Sequence, residues 1–109
     1  MSLAPYRVMW TFVMFDLPVD TKQARKEYAR FRKTLLQLGM TMMQFSVYAK
    51  ALPSEEGADH LATIVHMALP PKGEVRILKV TDHQFGKMEV FTGRKRAEVD
   101  EIPEQIGLF

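Results

Sequence analysis

A single carboxylate, Asp16, closes a run in which every residue from Val8 to Phe15 is apolar, aromatic or β-branched. Functional groups concentrate where strands run out into loops, so an acid at that position is a candidate for chemistry. Two readings stand side by side. In one, the Asp16 side chain bonds turn backbone ahead of Pro18, as Asp does in many turns. In the other it ligates Mg²⁺ or Mn²⁺, hard cations that want octahedral oxygen ligation and usually more than one anchoring group. One Asp16 per chain is too few, but a two-fold axis doubles the count. Two copies can then share one ion that activates water for attack on a phosphodiester.

The second candidate is a set of cations. Lys22, Arg25, Lys26, Arg30, Arg32 and Lys33 fall in one segment, with Glu27 as the one acid among them. Such a set is either a solvated helix face or a surface that binds phosphates without reading base sequence. Arg94-Lys95-Arg96 is a further basic triplet, offset by Glu98, Asp100 and Glu101. His60, His66 and His83 lack the three- or four-residue spacing of a helical zinc pair. Ser46 and Tyr48 share a strand face but have no basic partner in view to activate a nucleophile. The methionines and Phe12, Phe31 and Phe45 fall on predicted core faces and read as packing rather than as a base-stacking platform. There is no Walker loop, no G-x-G-x-x-G and no RRM aromatic signature.

These residues need elements to hold them. From Arg7 to Asp16, Val8, Trp10, Phe12 and Met14 alternate with Met9, Thr11, Val13 and Phe15, so both faces are apolar, the pattern of a doubly buried strand. Leu17-Pro18-Val19 turns the chain. Asp20, three residues before Gln23, reads as the N-cap of a helix that runs to Leu38, with Gly39 at the left-handed position beyond it. Ala24, Tyr28, Phe31, Leu35 and Leu38 stay within about 40° of one line at about 100° per residue. That stripe faces the core and leaves the six cations on the outer circumference.

Residues 40–50 alternate as a second strand, with Met43, Phe45, Val47 and Ala49 on one side and Met42, Gln44, Ser46 and Tyr48 on the other. Ser54, Glu55 and Glu56 open a second helix whose stripe is Ala58, Leu61, Ala62, Val65, Ala68 and Leu69, and Pro70-Pro71 stops it. Residues 74–81 read as a third strand and 88–91 as a short fourth. Residues 105–109 read as a late edge strand.

The arrangement read from this is α+β: ferredoxin-like βαββαβ, an antiparallel sheet with both helices on one face. Two helices cover one face, yet the first strand is apolar on both. The other face then needs a cover that the chain cannot supply alone. A second copy packed sheet to sheet is the simplest cover, and the C-terminal tail can add to it by pairing with the partner's sheet edge. The expectation is a homodimer through the sheet face, with a ferredoxin-like domain over 1–92 and a partner-pairing tail over 93–109.

Composition agrees with one globular domain. The chain has 109 residues, 47% hydrophobic and 26% charged, and no cysteine. That excludes disulfide frameworks and thiolate chemistry. No apolar window reaches a membrane span, and no secretory leader opens the chain, so a cytoplasmic location is expected. The net charge of +2 hides an asymmetry: residues 1–50 hold eight Lys/Arg against three acids, while residues 51–109 hold seven against ten. A polyanion meets the first half.

Val13-Met14-Phe15-Asp16-Leu17-Pro18, the helix segment Phe31-Arg32-Lys33-Thr34-Leu35-Leu36, Gly39, and Gln44-Phe45-Ser46-Val47-Tyr48 together resemble the CRISPR-associated Cas-two family. The likeness runs from about Arg7 to Tyr48 and looks most like members from type II systems. It implies a ferredoxin-like homodimer with Asp16 as the aspartate paired at the dimer axis, where some members bind Mg²⁺ and cleave RNA or DNA. It also implies a place at the centre of spacer acquisition, where the dimer bridges two CRISPR integrase dimers and supports the double-stranded DNA to be inserted. Asp16, Arg25, Arg32 and the Gln44–Tyr48 strand match the family pattern. The acid that often follows the aromatic is replaced by Ala49-Lys50.

Two functions therefore stand: a DNA-supporting subunit of the integration complex, or a metal-dependent endonuclease acting through paired Asp16. A small-ligand regulatory module of the same fold is a third, and it leaves the basic face unexplained.

Overall fold

Strand β1 (Met9–Asp16) runs through the middle of the molecule, as its two apolar faces require. The computed structural model describes residues 8–100. After β1 come α1 (Lys22–Gln37), β2 (Thr41–Gln44), β3 (Val47–Leu52), α2 (Glu55–Met67) and β4 (Glu74–Thr81). The sheet order is β2-β3-β1-β4, and every neighbouring pair is antiparallel. This is the ferredoxin-like βαββαβ arrangement expected from the sequence. No helix among the described residues is long and apolar enough to cross a membrane.

Alternation along β1 divides the core in two. Val13 and Phe15 point to the helices and pack with Phe31 and Leu35 of α1, Ala58, Leu61 and Val65 of α2, and Tyr48 and Leu52 of β3. Phe15 meets Phe31 edge-on, with ring centroids 5.2 Å apart, and stacks on Tyr48 at 5.8 Å. Trp10 and Phe12 point to the other face with Ala49 and Ala51.

Several expectations need correction. The segment read as one strand over 40–50 is a hairpin: β2 and β3 pair antiparallel, and Phe45 and Ser46 form its turn. Both inner strands of the βαββαβ order come from this one segment. The N-cap of α1 is Thr21, not Asp20; the Thr21 hydroxyl accepts from the Ala24 N–H at 3.0 Å. Ser54 does cap α2, accepting from Gly57.

The face opposite the helices also has a cover of its own. A short helix, α3 (Asp82–Gly86), follows β4 directly and is started by a capping box between Thr81 and Gln84. It lays Phe85 on Trp10, centroids 3.9 Å apart and 7° from parallel, while Trp10 Nε1 donates to Asp82 Oδ1 at 2.7 Å. The chain therefore covers part of its second face itself and leaves only the remainder bare. A hairpin of β5 (Val90–Thr92) and β6 (Lys95–Ala97) follows, so the short strand expected at 88–91 is the first arm of a pair. The 92/93 division falls in that hairpin's turn. The edge strand expected at 105–109 lies outside the described residues.

Candidate functional site

The end of β1 is where three segments meet. Asp16 is exposed, and by strand alternation it shares a face with Phe12 and Met14, away from the two long helices. Its partner across the β1–β4 pair is Glu74, and Met14 stands opposite Arg76, so Glu74 and Arg76 lie on the same face as Asp16. Arg76 Nε donates to Glu74 Oε1 at 2.9 Å, and its Nη2 contacts the same oxygen.

Gly73 makes this approach possible. Its φ is +95°, and a Cβ there would stand 2.7 Å from the Asp16 carbonyl oxygen and 2.7 Å from Leu17 Cδ2. On the other side of β1, the Phe15 N–H donates to the Ser46 carbonyl at 3.0 Å, which holds the β2–β3 turn against the strand end. Ser46 takes φ +62° in that turn. The Leu17–Asp20 turn is held by Arg25, whose Nη1 donates to the Val19 carbonyl at 3.0 Å.

Asp16 and Glu74 are hard oxygen donors. Among the described residues no group of three or more His, Cys, Asp or Glu is assembled. This donor set fits Mg²⁺ or Mn²⁺ held by one or two carboxylates, with water and phosphate oxygens in the remaining positions. It offers zinc nothing in the way of nitrogen or sulfur.

Beside this end, the sheet face carries an open depression of about 580 Å³, whose lining includes Phe12, Met14, Val47, Leu78, Phe85 and Val99. Leu78 is 49% exposed within it. This is the part of the second face that α3 leaves bare.

All six cations of α1 are exposed, but they are not equivalent. Lys22, Lys26 and Lys33 lie within about 40° of one another, on the side of the helix opposite buried Phe31 and Leu35. Arg25 and Arg32 flank that line on one side. Arg30, on the other flank, is tied down: it pairs with Glu27 at 3.1 Å and donates to the Ala68 carbonyl at 3.2 Å. Arg30 thus fastens α1 to the end of α2.

The matched Gln44–Tyr48 stretch does not act as one strand face. Tyr48 is buried among the helices, Ser46 is in the turn, and Phe45, expected in the core, is 89% exposed. Lys50, which stands near where the family pattern often has an acid, caps α1 through a bond from Nζ to the Leu38 carbonyl at 2.9 Å. Sequence reasoning missed Glu74 and Arg76. Gly73 was the available signal, since a glycine just before a strand marks close backbone approach.

A family model described as "CRISPR associated protein Cas2" matches residues 9–88, from β1 through α3. A Parvibaculum lavamentivorans protein named "CRISPR-associated endoribonuclease Cas2" is 50% identical over 101 residues, covering 93% of this chain and all of the relative. Proteins of the same name from Flavobacterium psychrophilum and Paracidovorax avenae are 41% and 45% identical over 107 residues, each covering 98% of this chain and respectively 93% and 99% of their own. A solved structure described as "Crystal structure of cas2" superposes with a TM-score of 0.54 at 21% identity, covering 88% of this chain and 99% of that one. That structural likeness bears on the fold.

Proposed function

The chain belongs to the CRISPR-associated Cas2 family, and from that premise we propose that it works in the cytoplasm as a homodimeric subunit of CRISPR adaptation. It supports double-stranded DNA and bridges integrase dimers during spacer acquisition. The observation that carries this reading is the exposed ridge of Lys22, Lys26 and Lys33, flanked by Arg25 and Arg32. A line of cations with no interleaved acid suits a duplex backbone, where each neutralised phosphate contributes through counterion release. The homodimer is supported by the bare apolar part of the sheet face, with Met14, Val47 and Leu78, which a second copy would cover. The tail over 93–109 would complete that interface by pairing with the partner's sheet edge.

A second reading is favoured by a separate observation. Asp16, with Glu74 opposite, lies on the same sheet face as that depression, and a face-to-face dimer whose axis passes by the end of β1 would bring two Asp16 carboxylates together. Relatives at up to 50% identity carry the name endoribonuclease. A bound Mg²⁺ or Mn²⁺ would lower the pKa of a water and polarise a phosphodiester. Asp16 and Glu74 would hold that ion, and Arg76 would hold Glu74 in place.

Asp16→Ala separates the two. Assayed for metal-dependent cleavage and for spacer acquisition, a folded dimeric variant should keep acquisition and lose cleavage. Loss of acquisition would sink the scaffold reading as stated. Retained cleavage would remove Asp16 from the chemistry.

A further inference from the structure

We propose that Phe45 is a stacking platform for an unpaired nucleobase beside Asp16, so that this end of the molecule takes single-stranded nucleic acid while the α1 ridge takes duplex. The inference deepens the endonuclease reading and rests on its assignment of nucleic acid to the Asp16 end.

Four observations carry it. Phe45 is 89% exposed, the most exposed of the large apolar side chains among the described residues. A phenylalanine so placed covers no part of either core cluster, so packing within the chain does not explain it. Its backbone is anchored: it sits in a two-residue turn whose second residue, Ser46, adopts φ +62°, and the Ser46 carbonyl is bonded to the Phe15 N–H at 3.0 Å. The turn is thereby locked against the residue that immediately precedes Asp16.

The surroundings supply the rest of what a nucleotide needs. Arg76, on the strand at the other side of β1, uses Nε and Nη2 on Glu74 and is 73% exposed, so it retains donors for a phosphate oxygen. The β2–β3 turn with Phe45 and the β4 cation Arg76 lie on either side of the β1 end, and an aromatic with a cation near it binds a base by its π-face and a backbone by its charge. Bases in a duplex have their faces occupied by neighbours, so the platform selects unpaired ones. Stacking does not distinguish ribose from deoxyribose, and the shared chemistry is therefore an unpaired base of RNA or DNA.

The test uses the full-length dimer. Phe45→Trp places a reporter at the turn; Trp10, buried against Phe85, sets the wild-type background. Titration with a short single-stranded RNA and with DNA of the same sequence should quench the new emission, and the matching duplex should not. Quenching by one single strand alone identifies the sugar preference within the proposal. Phe45→Ala should weaken single-strand binding by at least about fivefold while leaving duplex binding unchanged, and Phe45→Tyr should restore it where Phe45→Leu does not.

Unchanged single-strand affinity in Phe45→Ala, or equal loss on duplex, overturns the proposal. So does a Phe45→Ala variant that falls apart into monomers with unchanged base binding per chain, since Phe45 is then an interface residue. Cleavage is scored separately. A wild type that does not cleave but quenches in the Phe45→Trp form keeps the platform and loses the nuclease, whereas cleavage indifferent to Phe45 with no quenching does the reverse.

Discussion

Asp16 and Glu74 face each other across the β1–β4 pair, two acids in register on the sheet face away from the long helices. Like charges directly opposite one another are unfavourable, and the Arg76 guanidinium on Glu74 offsets that repulsion. The arrangement predicts that Mn²⁺ titrated into the protein binds through Asp16, is weakened roughly tenfold by Glu74→Gln and is lost in Asp16→Ala. Arg76→Ala removes the group that orients Glu74 and should weaken the ion as well. Calorimetry or Mn²⁺ electron spin resonance reads all three. A Glu74→Gln protein with wild-type affinity would assign the ion to the Asp16 pair alone.

Phe85 is 2% exposed and stacked on Trp10, and Asp82 accepts the indole N–H. Phe85→Ala should therefore cost about 3–5 kcal/mol in urea unfolding, the usual range for removing a buried aromatic. Asp82→Ala leaves an indole N–H without its partner, at about 1–3 kcal/mol. In both variants the Trp10 emission should shift to the red. An unshifted spectrum would mean that α3 does not seal this half of the face.

How far the sequence could be read depends on which signals are local. The stripe of α1, the Ser54 cap, the Pro70-Pro71 stop and the strand over 74–81 are each written in neighbouring residues, and each appears in the structure. The β2–β3 hairpin was hidden because its turn is Phe45-Ser46, with no Gly, Asn or Pro to interrupt the alternation. Phe45 looked like core for the same reason. Asp20 and Thr21 are both good caps standing side by side, and composition does not choose between them. Helix α3 was missed although its Thr81–Gln84 box was legible, because five residues leave no periodicity to see. The opposition of Asp16 and Glu74 is a matter of register between strands far apart in the chain, which one sequence does not encode locally.

The left-handed Ser46 offers a direct check on the hairpin. A non-glycine residue at φ +62° is held there against its intrinsic preference. Ser46→Gly should raise stability by up to about 1 kcal/mol, and the β-branched Ser46→Val should lower it by more than that. Denaturant midpoints at constant m-value test the pair. A neutral Ser46→Val would argue that residues 40–50 run on as a single strand in solution.

The α1 cations divide into a ridge and a strut, and salt dependence tells them apart. Lys22, Lys26 and Lys33 make no ion pair among the described residues, whereas Arg30 is bound to both Glu27 and the Ala68 carbonyl. If the three lysines meet duplex phosphates, changing all three to Ala should flatten the slope of log K against log salt by about 2 to 3, at roughly 0.9 for each phosphate no longer neutralised. Their exposure means that the melting temperature should hardly move. Arg30→Ala should do the opposite: it lowers stability by about 1 kcal/mol by cutting the tie to α2, with a slope change below about one. A triple lysine variant that keeps the full slope would place the duplex on another surface, and the Arg94–Arg96 hairpin would then be the next to change.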